Sequence, residues 1–363
     1  MRILFAGGGT GGHLVPAINI ANALKDKLED VQFLFVGIKG GMEKPLLAKS
    51  GFPTEEIEVV GLKRNFSGML DFSKKIMRAY AQSDKLVRGF GPEIVVGTGG
   101  YLSAPVVLAG KRRRARILIQ EQNIFPGLAT RFLARFADKI CLAFESSKKY
   151  FHGIRNIVVT GNPLRDDLKL PKGNGFLNEF GLQSGKKVLL ITGGSRGAHS
   201  INKGIAGFLK KGLLPPDWQV LWQTGSVKFD ETANMVKDID FAGRLVPFIE
   251  LMPKAYAISD LVVCRAGAMT SSELLALGLP AILVPYPHAA GNHQMRNALD
   301  LKNKGAVEVI ADSKLQSDEF ANLLRGLLND ESRRDKLALK ACSLGNTSGT
   351  EAITKEIIKL YEV

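Results

Sequence analysis

Short apolar runs alternate with amphipathic stretches along almost the whole chain. Residues 2–8, "RILFAGG", form an apolar run that breaks at glycine, and "LVPAINIANALKDKL" after it has helical spacing. The alternation continues through "VQFLFVG", "PEIVVGTGG", "ARILIQEQN", "KICLAF" and "NIVVTGNP". Buried strands alternating with helices predict a parallel α/β sheet. The pattern restarts after "LKLPKGNG" with "KKVLLITGGSRGAHSINKGIAGFL", again strand, glycine loop and helix. Later strands are "WQVLWQTG", "LVPFI", "DLVVCRAG", "PAILVPYP" and "AVEVI".

The two halves are built alike. Residues 6–13, ending Gly12-His13, lie over residues 192–199, ending Ala198-His199. We read two doubly wound, Rossmann-like domains, residues 1–162 and 163–345, with a hinge near 161–166. A last helix at 349–363 is expected to pack back on the first domain. Ligands of such sheets sit at the carboxyl ends of the strands, so a cleft faced by both domains is the expected site. A length of 363 residues agrees with two cores rather than one.

Composition adds limits. Apolar residues make up 45% and charged residues 23%, as in ordinary globular proteins. The three cysteines are far apart, which argues against a disulfide framework or a zinc site. The N-terminus has no signal-peptide apolar region, and no apolar run is long enough to span a bilayer. A cytoplasmic chain is expected.

The net charge of +14 suits either a solvated, soluble surface or an anionic partner: nucleic acid, a membrane surface or a phosphorylated substrate. Lys63, Arg64, Lys74, Lys75, Arg78, Lys85 and Arg88 lie in one stretch. Leu62, Phe66, Met69, Leu70, Phe72, Ile76 and Tyr80 are interleaved with them. "KRRRAR" follows at 111–116. Basic and apolar residues mixed in this way suit docking at a membrane interface; the plain alternative is a core-facing helix with solvated charges.

The glycine loops carry the candidate chemistry. Gly7-x-Gly9-x-x-Gly12 matches a dinucleotide fingerprint, but the second strand ends in Gly37 and Ile38 where an acid should hold the ribose. No Gly-Lys-Ser/Thr follows, so a P-loop is excluded as well. Bare loops still let backbone N–H groups approach a phosphate or sugar. "GTGGYLSAP" at 97–105 is a third such loop. In "VCRAGAMTSSELLALGLPAILVPYP", a helix is expected from near Ser271. There Glu273 is either half of a Thr270-x-x-Glu273 capping box or a carboxylate for two ribose hydroxyls. His288, His293, Gln294 and Asn297 follow close together, and the Gln and Asn amides suit sugar hydroxyls. No acidic ligand accompanies these histidines at helical spacing, so no metal is expected.

Together these segments resemble the MurG family of peptidoglycan N-acetylglucosaminyltransferases, which have the GT-B fold. The matches are "GGGTGGHLVPA", "GTGGYLSAP", "EQN" at 121–123, "GNPLR" at 161–165, "GGSRGA", "RAGAMTSSE" and "PYPHAAGNHQMRNA", in family order over nearly the whole chain. The loop before Gln294 departs from the family pattern.

The resemblance implies inverting, metal-independent transfer of GlcNAc from UDP-GlcNAc to the MurNAc C4 hydroxyl of undecaprenyl-diphosphate-MurNAc-pentapeptide (lipid I). The product is lipid II, for cell-wall biogenesis and hence cell shape and division. Glu273 would hold the ribose and the Ile249 backbone would face uracil. Ser195 and Arg165 would contact the diphosphate. Ala268, Met269, Thr270, Ser271, Ser272, Gln294 and Asn297 would line the donor site, completed by Thr10, Gly11, Gly12 and Asn123 of the first domain. His13 is the leading candidate base, with Glu121 or a water in reserve and loop bracing as its structural alternative; His199 is expected to be structural. No cofactor is implied. A lipid acceptor places the enzyme peripherally on the anionic inner leaflet, at the cytoplasmic face. Two rival readings are a UDP-sugar epimerase of the same architecture and a basic nucleic-acid binder, which leaves the glycine loops without a role.

Overall fold

A computed structural model describes residues 1–9, 11–41, 44–59, 69–168 and 170–362. It divides into two compact units, Met1–Arg165 with Asn346–Val363, and Asp166–Gly345. The first unit runs β1 (Arg2–Gly7), α1 (Gly11–Lys27), β2 (Gln32–Ile38), α2 (Lys44–Ser50), β3 (Thr54–Ile57), α3 (Met69–Phe90), β4 (Ile94–Gly99), α4 (Ser103–Arg112), β5 (Arg116–Glu121), α5 (Leu128–Leu133), β6 (Lys139–Leu142) and β7 (Ile157–Val159). The second runs β8 (Lys187–Thr192), α6 (His199–Lys210), β9 (Trp218–Gln223), α7 (Phe229–Val236), β10 (Gly243–Val246), α8 (Met252–Ala257), β11 (Leu261–Arg265), α9 (Ala268–Leu277), β12 (Ala281–Val284), α10 (His293–Asn303), β13 (Glu308–Val309), α11 (Asp318–Asn329) and α12 (Glu331–Leu344). A last helix, α13 (Gly349–Glu362), belongs to the first unit.

Each unit holds one parallel sheet. The strand orders are β3-β2-β1-β4-β5-β6-β7 and β10-β9-β8-β11-β12-β13. The order therefore reverses beside the first strand of each unit, between β1 and β4 and between β8 and β11. Burial on both faces explains why the inner strands read as unbroken apolar runs rather than alternating ones. Ile3, Phe5, Ile94 and Val96 pack on one face of the first sheet, and Leu4, Ala6, Val95 and Ile117 on the other. In the second unit, Trp218 and Trp222 are fully buried, and their indole N–H groups donate to Leu328 O and Asn202 Oδ1.

The chain stays with the first unit through Arg165, three residues beyond the division read from the sequence. Asn19 Nδ2 donates to Pro163 O at 2.8 Å and Thr350 Oγ1 to Leu164 O at 2.5 Å. On its return the chain is fastened by Asn346 Nδ2, which donates to Thr160 O at 2.9 Å. α13 then packs on α1, burying Ile353 and Ile357 in the first core. Glu356 on this helix pairs with Lys139 at 3.0 Å and Lys359 at 2.8 Å.

Three local expectations are corrected. β3 was not expected: its Thr-Glu-Glu-Ile sequence pairs only with β2 at the sheet edge, where polar residues face solvent. α1 begins at Gly11 rather than after the histidine, so His13 lies in its first turn. α9 begins at Ala268, not near Ser271, because Gly267 takes the N-cap position with extended backbone.

Candidate active site

In the first unit, the loop after β1 and the loop after β4 meet where the strand order reverses. Their approach depends on bare backbone. A Cβ on Gly100, which has φ +80°, would lie 2.3 Å from Gly8 O. The Thr98 hydroxyl donates to His13 O at 2.7 Å, tying the start of α1 to the end of β4. The imidazole lies over Gly99: a Cβ there would be 2.7 Å from His13 Cδ2 and 3.1 Å from Nε2. The glycines therefore make room for the histidine. Tyr101 lies against Gly9 in the same way and is 41% exposed.

Behind this pair sits a buried polar network. Gln122 Nε2 donates to Thr98 O at 2.7 Å, and Asn162 Nδ2 donates to Gln122 O at 3.1 Å. Gln120 Nε2 donates to Asn162 Oδ1 at 3.1 Å. Glu121 is 2% exposed, and both its oxygens accept: Oε1 from the Asn123 N–H at 3.0 Å and from Asn123 Nδ2 at 2.9 Å, Oε2 from the Gly127 N–H at 3.1 Å. This carboxylate braces the loop after β5, a role that conflicts with its place as reserve base. Gly11 and Gly12 are exposed and His13 and Asn123 half-buried; Thr10 lies outside the described residues. Arg165 is exposed at the end of the unit's first segment.

The second unit repeats the arrangement with different partners. A Cβ on Gly197, φ +73°, would be 2.0 Å from Thr224 O, so the loop after β8 lies on the end of β9. Ser195 on that loop is exposed. Gln223, buried at the end of β9, joins three segments. Its Nε2 donates to Thr192 Oγ1 and to Gly194 O, each at 3.0 Å, and its Oε1 accepts the Ile249 N–H at 2.9 Å. Ile249 is thereby fixed through its own backbone.

α9 follows β11 at the reversal point. It carries Ala268, Met269, Thr270, Ser271, Ser272 and Glu273 on its first turns. No side chain caps it, which removes the capping-box reading of Glu273. Instead Glu273 Oε2 accepts from the Tyr256 hydroxyl at 2.9 Å. Burial pushes the nearby Cys264 thiol up to about 12, and the Glu273 charge adds to the rise. From α10, Gln294 Oε1 accepts the Tyr286 N–H at 2.9 Å and Asn297 is buried. His293 Nδ1 lies 2.7 Å from Ala290 O. Each of these segments leaves the carboxyl end of a strand of the second sheet.

His199, the counterpart of His13, faces elsewhere: its Nδ1 is 3.1 Å from Glu231 Oε1 on α7. Sequence reasoning missed Tyr256, Gln223 and the Gln120–Gln122–Asn162 network. Their partners are distant in sequence, and only the glutamines' place at strand ends hinted at them.

The comparisons agree with this architecture. Residues 3–142 match the glycosyltransferase family 28 N-terminal domain and residues 188–357 its C-terminal domain. A UDP-N-acetylglucosamine–N-acetylmuramyl-(pentapeptide) pyrophosphoryl-undecaprenol N-acetylglucosamine transferase from Caldanaerobacter subterraneus subsp. tengcongensis is 40% identical, over 97% of this chain and 98% of its own. The crystal structure of Acinetobacter baumannii MurG superposes with a TM-score of 0.79 at 28% identity, over 99% of both chains. A UDP-GlcNAc 2-epimerase from Neisseria meningitidis has a TM-score of 0.67 at 16% identity, over 99% of this chain and 100% of that one, which is a likeness of fold alone. The chain belongs to glycosyltransferase family 28, within its MurG branch.

Proposed function

We propose that this chain transfers GlcNAc from UDP-GlcNAc to the C4 hydroxyl of the MurNAc unit of lipid I, with inversion, to form lipid II. The observation that carries this is the full-length likeness to curated transferases of that name. The geometry of each unit adds to it. In the second, Glu273 takes the ribose and Ile249, held by Gln223, reads the base. Ser195, with Arg165 of the first unit, and the N–H groups opening α9 take the diphosphate. As the glycosidic bond breaks, negative charge grows on UDP, and fixed N–H dipoles and a guanidinium stabilise it. Ala268, Met269, Gln294 and Asn297 surround the sugar, and Thr270, Ser271 and Ser272 belong to the same substrate-binding segment. Thr10, Gly11, Gly12 and Asn123 of the first unit also serve the donor.

His13 accepts the proton of the attacking C4 hydroxyl. This reading is supported by the room that Gly99, at the end of β4, and Gly100 leave for its ring, and by Thr98, which anchors its carbonyl.

The acceptor's polyprenyl chain requires a membrane, and α3 suits one. Lys74, Lys75, Ile76, Met77 and Arg78 are consecutive and exposed, with Ile76 at 49% and Met77 at 71%. Residues 60–68 of the same basic, apolar segment lie outside the described residues. Among the described residues no helix is long and apolar enough to cross a bilayer. We place the protein peripherally on the anionic cytoplasmic leaflet. Transfer of labelled GlcNAc to a short-chain lipid I analogue tests the activity. Acceptor-independent release of an epimer, with no transfer, would refute it.

A further inference from the structure

The half-buried carboxylate of Glu273 is held by a phenol that belongs to none of the segments matched in the sequence. Tyr256 is 3% exposed and sits on α8, a short helix opened by Pro253, with Ala255 and Ala257 buried beside it. Its hydroxyl donates to Glu273 Oε2 at 2.9 Å across 17 residues of sequence.

A ribose presents two vicinal hydroxyls, and one carboxylate accepts both only when its plane is set correctly. A glutamate side chain reaches that plane through three rotatable bonds, and each ordered rotor costs conformational entropy. A buried phenol that donates to one oxygen fixes the last rotor before the nucleotide arrives, which lowers the cost of binding. The segment adds a second constraint. Ile249, pinned by Gln223 Oε1 at 2.9 Å, lies seven residues upstream of Tyr256. One stretch of chain thus carries the peptide that reads the base and the hydroxyl that orients the ribose carboxylate.

We infer that Tyr256 is a positioning residue for the nucleoside of the donor, acting through Glu273 and selecting a ribose with both hydroxyls. The inference rests on the ribose role proposed for Glu273. Removing the phenol hydroxyl loosens the carboxylate without removing its charge. The effect falls on donor binding and not on the chemical step, and it is smaller than loss of Glu273 itself.

The test is steady-state kinetics of full-length Tyr256→Phe and Glu273→Ala with UDP-GlcNAc and with its 2′-deoxy and 3′-deoxy analogues. Tyr256→Phe is expected to raise the donor KM about three- to tenfold with kcat within about twofold, the range of a hydrogen bond to a charged group felt at one remove. The penalty for deleting a ribose hydroxyl should shrink in the same variant, because wild type has the better-set carboxylate to lose. A Tyr256 that only fills the core would lower Tm and leave the deoxy penalty at its wild-type value, and that result overturns the inference. If Glu273→Ala changes neither KM nor the deoxy penalty, the ribose reading fails and takes Tyr256 with it. If Glu273→Ala shows the loss and Tyr256→Phe does not, only the role of Tyr256 is refuted.

Discussion

Substituting alanine at Gly99 displaces His13 without changing its chemistry. The new Cβ would lie 2.7 Å from His13 Cδ2, whereas ordinary contact begins at 3.4 Å. The ring must therefore retreat by about 0.7 Å, because the repulsive wall does not yield at that range. A misplacement of about 1 Å in a catalytic group costs on the order of 100-fold, so kcat should fall about 10- to 100-fold. The backbone at Gly99 has φ +103°. An alanine there stores about 1–3 kcal/mol of strain, and Tm should drop by several degrees. Gly153→Ala separates the two effects: it has φ +78° and nothing within 4 Å of its Cβ, so it should share the drop in Tm and keep kcat. His13→Ala sets the limit, with a loss of about 10²–10⁴-fold and no acid limb in the kcat profile. Gly99→Ala should retain that limb, since the imidazole is still present. UDP affinity, measured by calorimetry, should be close to wild type in all three. A Gly99→Ala enzyme with full kcat would show that the position of His13 is irrelevant to the reaction, and the imidazole would return to a bracing role.

Four further outcomes are expected. Glu273→Ala should raise the donor KM tenfold or more, the value of a charge-assisted hydrogen bond of about 1.5–3 kcal/mol; a change in Tm alone would leave it a structural residue. Reversing Lys74, Lys75 and Arg78 to Glu should weaken sedimentation with anionic vesicles by tenfold or more, at about 1 kcal/mol per charge, and spare activity on a water-soluble acceptor. With Ellman's reagent the native protein should titrate one thiol, the exposed Cys342, and three after unfolding. Burial lifts the Cys141 and Cys264 thiols far above neutral, so a native count of three would refute the packing of β6 and β11. Burial alone would raise the Glu356 carboxyl, but hydrogen bonds from Lys359 and Lys139 outweigh it and hold it below its ordinary 4.5. Its contribution is therefore present above that value and lost as pH falls through the lowered pKa. Glu356→Gln should melt below wild type at pH 7, and the gap should narrow as the pH falls below 4.5.

Inner strands buried on both faces announce themselves as apolar runs, and among the described residues twelve of the thirteen strands, the more exposed β7, β10 and β13 included, could be read directly. β3 could not, because an edge strand with two exposed glutamates carries no such signal. The start of α9 was misread for a related reason. Thr270-x-x-Glu273 has the spacing of a capping box, but spacing does not reveal that Gly267 already ends the extended segment. The candidate site residues on glycine loops were proposed from local pattern. Tyr256 and Gln223 act across 17 and 26 residues, and such pairings exist only once the sheet has ordered its strands.

The two histidines show how little a shared local pattern decides by itself. Both follow a glycine loop at the carboxyl end of the first strand in their unit. After β1 the chain finds Gly99 and Gly100 on β4 and the residues beyond it, and their missing side chains leave a bed for the imidazole of His13. After β8 the loop lies instead on Thr224 and Gly225 at the end of β9, where its backbone already fills the space. His199 is the first residue of α6 and turns to Glu231 on α7. The contact with the carboxylate there is exposed, and such surface contacts add little to stability. What turns one histidine into a candidate base is thus the neighbouring strand. The glycines at 99 and 100, more than those of its own loop, determine where this imidazole stands.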